Sequence, residues 1–358
     1  MAQISRPLRL TFYILVILAG TVLSAGLAMR HAERQTLVEE AARANEQLGL
    51  YANSLHTLIE RYRALPAVLA LDPELRAALQ GPVATETQDA LNRKLEKING
   101  AARSSTLELL NHEGLAVAAS NWRLPSSYVG HNYGFRPYFK QTRSQGSGRF
   151  YAVGVTSGIP GYFLASAVKA DNQDFLGAMV VKLEFPELEH EWSQGNDTLL
   201  VSDARGIVFI ANQPGWRYRH LQPLSSNDLE EIKLTRQYDK QPLTPLQHQT
   251  LQRFDDNSSL ARVEGPEGRA SYLWESLPLA AEGWTLHLLR KPPNAFEETR
   301  NAGLAAAGAW LTLVFLLLFL NQRWRLGKVR QRNRQELEQL VEDCLLYTSD
   351  AADDTPCV

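Results

Sequence analysis

Two stretches of the chain run for twenty residues without a charge: residues 10–29 (LTFYILVILAGTVLSAGLAM) and residues 302–321 (AGLAAAGAWLTLVFLLLFLN). Each is long enough to cross a bilayer core of ~30 Å as a helix. Small residues near Ser24 to Ala28 leave a cleaved leader as the alternative for the first run, but the run is longer than a leader's apolar core. Arg6 and Arg9 precede the first run, and Arg323, Arg325, Lys328, Arg330, Arg332 and Arg334 follow the second. The positive-inside rule then puts both chain ends in the cytoplasm and exports the residues between the spans.

Between the spans the apolar period changes. Leu37, Ala41, Ala44, Leu48, Tyr51, Leu55, Leu58, Tyr62 and Leu65 repeat at 4-3-4-3 spacing, which predicts a long helix over residues 31–65. Its seam either packs on its own domain or forms a dimer interface, and the spacing fits both. Pro66 disturbs it, and DPELRAAL then predicts a short helix capped by Asp72 with Pro73 in its first turn. Further on the pattern turns to strands. LELLNHEGLAVAASN (107–121) and LLVSDARGIVFIAN (199–212) share one design: an apolar strand, a polar turn ending in Gly114 or Gly206, and a second apolar strand. Late strands at 177–185 and 271–291 close each repeat. Antiparallel strands with helices to one side predict an α+β chain: a long N-terminal helix, then two tandem domains, flanked by two transmembrane helices.

Composition narrows the function. A net charge of −2 over 358 residues gives no general pull toward nucleic acid. The only cysteines, Cys344 and Cys357, lie near the C-terminus, so no disulfide staples the exported part. The eight histidines show no metal-ligand spacing, and neither a phosphate-binding glycine loop nor a GxSxG elbow occurs, so no catalytic or metal site is expected. Residues 114–170 contain no Asp or Glu, yet hold Arg123, Arg136, Lys140, Arg143, Arg149 and Lys169, and ten aromatics fall between Trp122 and Phe163. Any one of those aromatics reads first as core. Together they describe a low-dielectric pocket with cationic and phenolic donors, suited to a small anion. Arg136 stands out between Phe135 and Pro137-Tyr138-Phe139, because a cation in so apolar a setting needs a partner.

The series ALPAVLALDPELRAAL (64–79), NHEGLAVAASNW (111–122), GHNYGFRPYFKQ (130–141), GRFYAVGVTSGIPGYFLASAV (148–168) and VVKLEF (180–185) resembles the sensor half of C4-dicarboxylate-transport sensor histidine kinases, the DctB family. The resemblance covers roughly residues 1–343. It implies two tandem PAS-like (double Cache) domains and a bacterial inner-membrane protein with its sensor in the periplasm. The expected organisation is a cytoplasmic N-terminus (1–9), a span (10–29), stalk and dimerisation helices (30–92), a membrane-distal ligand-binding domain (93–192), a membrane-proximal domain (193–298), a second span (302–321) and the start of a signalling helix (322–343). The implied ligand is succinate, malate or fumarate. The implied contacts are Tyr133, Arg136, Thr156, Ser157 and Lys182, with Tyr151 and Tyr162 as further contacts or walls. A homodimer and a response regulator are the implied partners. A chemoreceptor or diguanylate cyclase sensor for another small carboxylate is the alternative, followed by an exported enzyme or a purely structural stalk.

The chain departs from the family after the second span. No histidine follows His287, so the phosphoacceptor is missing, and no ATP-binding glycine boxes appear. ATP and Mg are therefore expected only for a kinase domain that this chain lacks. The final CLLYTSDAADDTPCV (344–358) resembles translated sequencing-adapter read-through, so the natural chain is expected to be truncated near residue 343, with an artefactual tail after it.

Overall fold

The structure, a computed structural model, describes residues 6–294 and 296–353. The expected cytoplasmic N-terminus (1–9) and the tail (344–358) fall partly outside the described residues. The chain divides into two compact units, residues 1–37 with 293–358, and residues 38–292.

The first unit holds the start of α1 (Arg6–Arg63) and α8 (Phe296–Asp353). Both helices carry a window long and apolar enough to cross a membrane, with mean hydropathies of 2.2 and 2.3. Trp310 lies against Gly20 and donates its indole N–H to the Ile17 carbonyl at 3.2 Å.

The second unit opens with the rest of α1. Ala44, Leu48, Ala52, Leu55, Ile59 and Tyr62 point into a core that also takes residues from both sheets. Of the two readings of the apolar seam, this places most of it on the chain's own domain, with Ala52 and Ile59 supplementing the 4-3-4-3 positions. Two short helices follow, α2 (Leu65–Ala70) and α3 (Pro73–Ala78). The Asp72 carboxylate caps α3 by accepting from the Glu74 and Leu75 amides. Helix α4 (Thr85–Ala102) follows and leads into the first sheet.

The first sheet comprises β1 (Thr106–Asn111), β2 (Ala116–Ala119), β3 (Ser147–Val153), β4 (Pro160–Lys169) and β5 (Phe175–Leu183), in the order β2-β1-β5-β4-β3, all antiparallel. Helix α5 (Pro137–Gln145) lies between β2 and β3. After α6 (Pro186–Ser193), the second sheet repeats the plan. Its hairpin is β6 (Thr198–Ser202) and β7 (Val208–Ala211). A two-residue parallel pair, β8 (Arg219–His220) and β9 (Thr244–Pro245), flanks α7 (Ser226–Thr235). Then come β10 (His248–Arg253), β11 (Ser258–Gly265), β12 (Gly268–Leu279) and β13 (Trp284–Arg290), giving the order β10-β11-β12-β13-β6-β7. Gly114 and Gly206 take φ of 87° and 75° in equivalent turns, a conformation that glycine adopts without a Cβ penalty.

Each strand of the first sheet alternates its side chains between two faces. One face, with Leu107, Leu109, Tyr151, Tyr162, Leu164 and Val181, joins the core shared with α1 and the second sheet. The other, with Leu110, Ala152, Phe163, Ala165, Ala178 and Val180, is covered by Tyr128, Tyr133, Tyr138 and Phe139. The candidate site lies on this second face.

Candidate functional site

Arg136 is the residue before α5. Its φ of −69° and ψ of 139° are the extended conformation imposed by the following Pro137. The site thus forms where the chain turns into α5, beneath the loop from β3 to β4. Glu108, Tyr128, Tyr133, Arg136, Tyr138, Val155, Thr156 and Phe163 line a cavity there. The room inside it is about 10 Å³, enough for about one water molecule.

Five of the seven sequence-predicted residues come together here: Tyr133, Arg136 and Thr156 line the cavity, and Ser157 and Lys182 lie beside it. The Tyr133 hydroxyl and Thr156 Oγ1 are 2.8 Å apart. Tyr128 packs edge-on against Tyr133 and donates to Ser157 Oγ at 3.2 Å. Lys182 Nζ, on a side chain with no exposure, donates to the same Ser157 oxygen at 3.3 Å. Lys182 also pairs with Glu184 at 2.6 Å. Gly161 makes room for the lysine stem: a Cβ there would fall 2.5 Å from Lys182 Cε and 2.9 Å from its own neighbour strand's Leu183 carbonyl.

Arg136 lines the cavity and is 1% exposed, but its guanidinium points away to backbone oxygens. Nη2 donates to the Val153 carbonyl at 2.7 Å, and Nη1 donates to the carbonyls of Thr235 and Arg236 at 3.1 and 3.0 Å. The last two sit at the C-terminal end of α7, where helix carbonyls are unsatisfied and attract cations. The Val153 amide reaches Gln237 beside them at 2.8 Å. Arg136 is therefore a strut between the two sheets' domains, and burial lowers its affinity for its proton.

Tyr151 and Tyr162 are placed elsewhere. They are register partners on β3 and β4, on the face opposite Phe163. The Tyr151 hydroxyl donates to the Phe209 carbonyl at 3.0 Å, and its ring packs on Phe209 and Trp284. The Tyr162 hydroxyl donates to the Glu282 carboxylate, which Arg63 and Arg149 also approach. Neither tyrosine lines the cavity. Tyr151→Phe is accordingly expected to cost about 1 kcal/mol of stability in denaturant unfolding, by removing one buried hydrogen bond, and to leave ligand affinity unchanged. A tenfold loss of affinity would put Tyr151 at the site after all.

The acid-free window does not make an acid-free cavity. Glu108 enters from β1, outside the window, with 1% exposure. The Tyr138 hydroxyl donates to its Oε1 at 3.2 Å. Burial pushes the carboxyl up to about 7, against a smaller downward pull from Tyr138, Lys182 and Arg136. Glu184, also outside the window, pairs with Lys182 beside the cavity. Both have a sequence signal. Glu108 shares a face with Leu110 in an otherwise apolar strand, and Glu184 lies two residues from Lys182, so their side chains project to the same side.

On the second sheet, a polar network is built around the buried His287. His287 Nδ1 accepts from the Trp274 indole at 3.2 Å, and its Nε2 lies 2.9 Å from Ser202 Oγ. Burial holds this imidazole down to about 3, so it stays neutral.

Two antiparallel sheets of one design on a long helix, with a buried cation-and-phenol cavity in the first, define a tandem PAS-like sensor domain. No family model matches the chain. The C4-dicarboxylate transport sensor protein DctB of Rhizobium meliloti is 33% identical over 343 residues, covering 94% of this chain and 55% of that protein. The DctB of Pseudomonas aeruginosa is 31% identical, covering 85% of this chain and 47% of its own length. The solved DctB histidine kinase sensor domain of V. cholerae superposes with a TM-score of 0.65 at 27% identity, over 72% of this chain and 98% of that one. The periplasmic domain of RsbU from Chlamydia trachomatis shares the fold, with a TM-score of 0.54 at 16% identity over 75% of this chain and 98% of its own. The chain belongs to the DctB family of C4-dicarboxylate transport sensor proteins. It spans about half the length of the curated relatives it matches.

Proposed function

We infer that this chain is the input portion of a two-component sensor histidine kinase, and that the cavity under the β3–β4 loop receives succinate, malate or fumarate. One observation carries the reading: a small cavity lined by the buried Arg136 and by Tyr128, Tyr133, Tyr138 and Thr156 has a second buried cation, Lys182, beside it on Ser157. A dianion needs donors at both ends, and two cations of different shape supply them. A four-carbon acid is larger than the present room, so binding requires the loop at 154–159 to lift and both cations to turn inward. Both hold partners a ligand carboxylate can replace. Arg136 holds neutral carbonyls, and a ligand carboxylate adds the attraction of opposite charges in a low-dielectric site and a planar match to the guanidinium fork. Drawing Arg136 off the end of α7 would loosen the contact between the two domains, a change with two discrete arrangements that ligand can bias.

In this reading the protein crosses the bacterial inner membrane twice with its sensor in the periplasm and works as a homodimer. Its signal goes to a response regulator through a kinase domain that uses ATP and Mg. A thermal-shift screen of the purified chain against organic acids tests the reading. C4-dicarboxylates are expected to raise the melting temperature in a concentration-dependent way. Stabilisation by monocarboxylates or amino acids alone would instead favour another class of double-Cache receptor.

A further inference from the structure

Glu108 has no evident structural reason to be an acid. Its Oε2 is buried and has no hydrogen-bond partner among the described residues. The cations that could pair with it are engaged elsewhere, Arg136 on three carbonyls and Lys182 on Glu184 and Ser157. The other titratable groups of the cavity are phenols, Tyr138 on α5, Tyr133 just before it and Tyr128 from the loop after β2, while β4 offers Phe163. A bare carboxylate is strongly disfavoured in such a place, and a neutral acid is tolerated. A carboxylate ligand sharpens this choice. Two anions in one low-dielectric cavity repel, as in paired catalytic carboxylates, whereas a protonated Glu108 has a hydrogen to offer from its unused oxygen.

We propose that Glu108 is a specificity-determining residue of the carboxylate site: it takes up one proton from solvent as the ligand enters and, as a neutral acid, donates that hydrogen to a ligand carboxylate. The proposal rests on reading the cavity as a carboxylate site. It makes binding proton-linked. With Glu108 ionised before binding and neutral after it, affinity falls as pH rises, by up to about tenfold per pH unit. Below the range where Glu108 ionises, affinity is flat.

The test is calorimetric titration of the full chain in detergent with fumarate, whose two carboxyls stay ionised from about pH 6 to about pH 8.5. Each titration is run in two buffers that differ in ionisation heat. The wild type is expected to take up close to one proton per ligand at the alkaline end, and to bind at least tenfold more weakly there than at the acid end. Glu108→Gln keeps the shape and a donor but cannot ionise, so its affinity should be pH-independent and its proton uptake near zero. Thermal unfolding checks the residue without ligand. The folded carboxyl sits above its ordinary value of 4.5, so wild-type stability drops as pH rises from there to about 7 and levels off above, and Glu108→Gln is spared that drop. Fumarate binding with no proton uptake, or with equal uptake by wild type and variant, overturns the proposal alone. Failure of both proteins to bind fumarate at any pH overturns the carboxylate reading and this proposal with it.

Discussion

Arg136→Ala is expected to weaken succinate binding at least tenfold in calorimetry on the full chain. A charge-assisted hydrogen bond is worth ~1.5–3 kcal/mol, and about 1.4 kcal/mol is tenfold in affinity. The same change removes the donor that ties Val153 to Thr235 and Arg236, so some stability goes with it. The two effects separate when melting is followed in parallel, since the affinity loss should appear at temperatures where the variant is still folded. Arg136→Lys sharpens the test. It keeps the charge, but a lysine lacks the planar fork that can bind two carboxylate oxygens at once, so it should recover only part of the affinity. Unchanged affinity in the alanine variant would remove Arg136 from the site and leave it a strut.

Lys182→Met should lose binding by a similar factor with less harm to the fold. Methionine keeps the apolar stem that passes over Gly161 and discards the charge. Glu184, the group left behind, has a side chain 22% exposed and can turn toward water, which limits the penalty of an unpaired acid. Lys182→Arg is not expected to rescue binding, because the wider guanidinium has no space beside Gly154, Gly161 and Ser157. Near-normal affinity in the methionine variant, read by the same calorimetry, would contradict the two-cation account.

Much of this was readable along the chain. The paired hairpins around Gly114 and Gly206 were visible because each turn needs a positive φ between two apolar runs. The spans were visible because nothing else in the chain stays uncharged for so long. The second sheet's α7 and β10 were not, since residues 248–253 (HQTLQR) form an exposed edge strand with almost no apolar alternation. Within the site, the motif GYFLASAV holds a lesson about period. Tyr162 and Phe163 are adjacent in a strand, so only one can face the cavity, and it is Phe163. A count of acids along the sequence does not reveal Glu108, because a sheet brings strands together across it. Two of Arg136's three partners are unreadable for the same reason: they are backbone oxygens about a hundred residues away.

The most direct measurement is a crystal structure of the sensor grown with succinate. The account predicts the dicarboxylate under the β3–β4 loop, one carboxylate on Arg136 and the other on Lys182, with Arg136 withdrawn from the carbonyls of Thr235 and Arg236. Succinate bound on the second sheet, or Arg136 still holding those carbonyls beside a bound ligand, would contradict it.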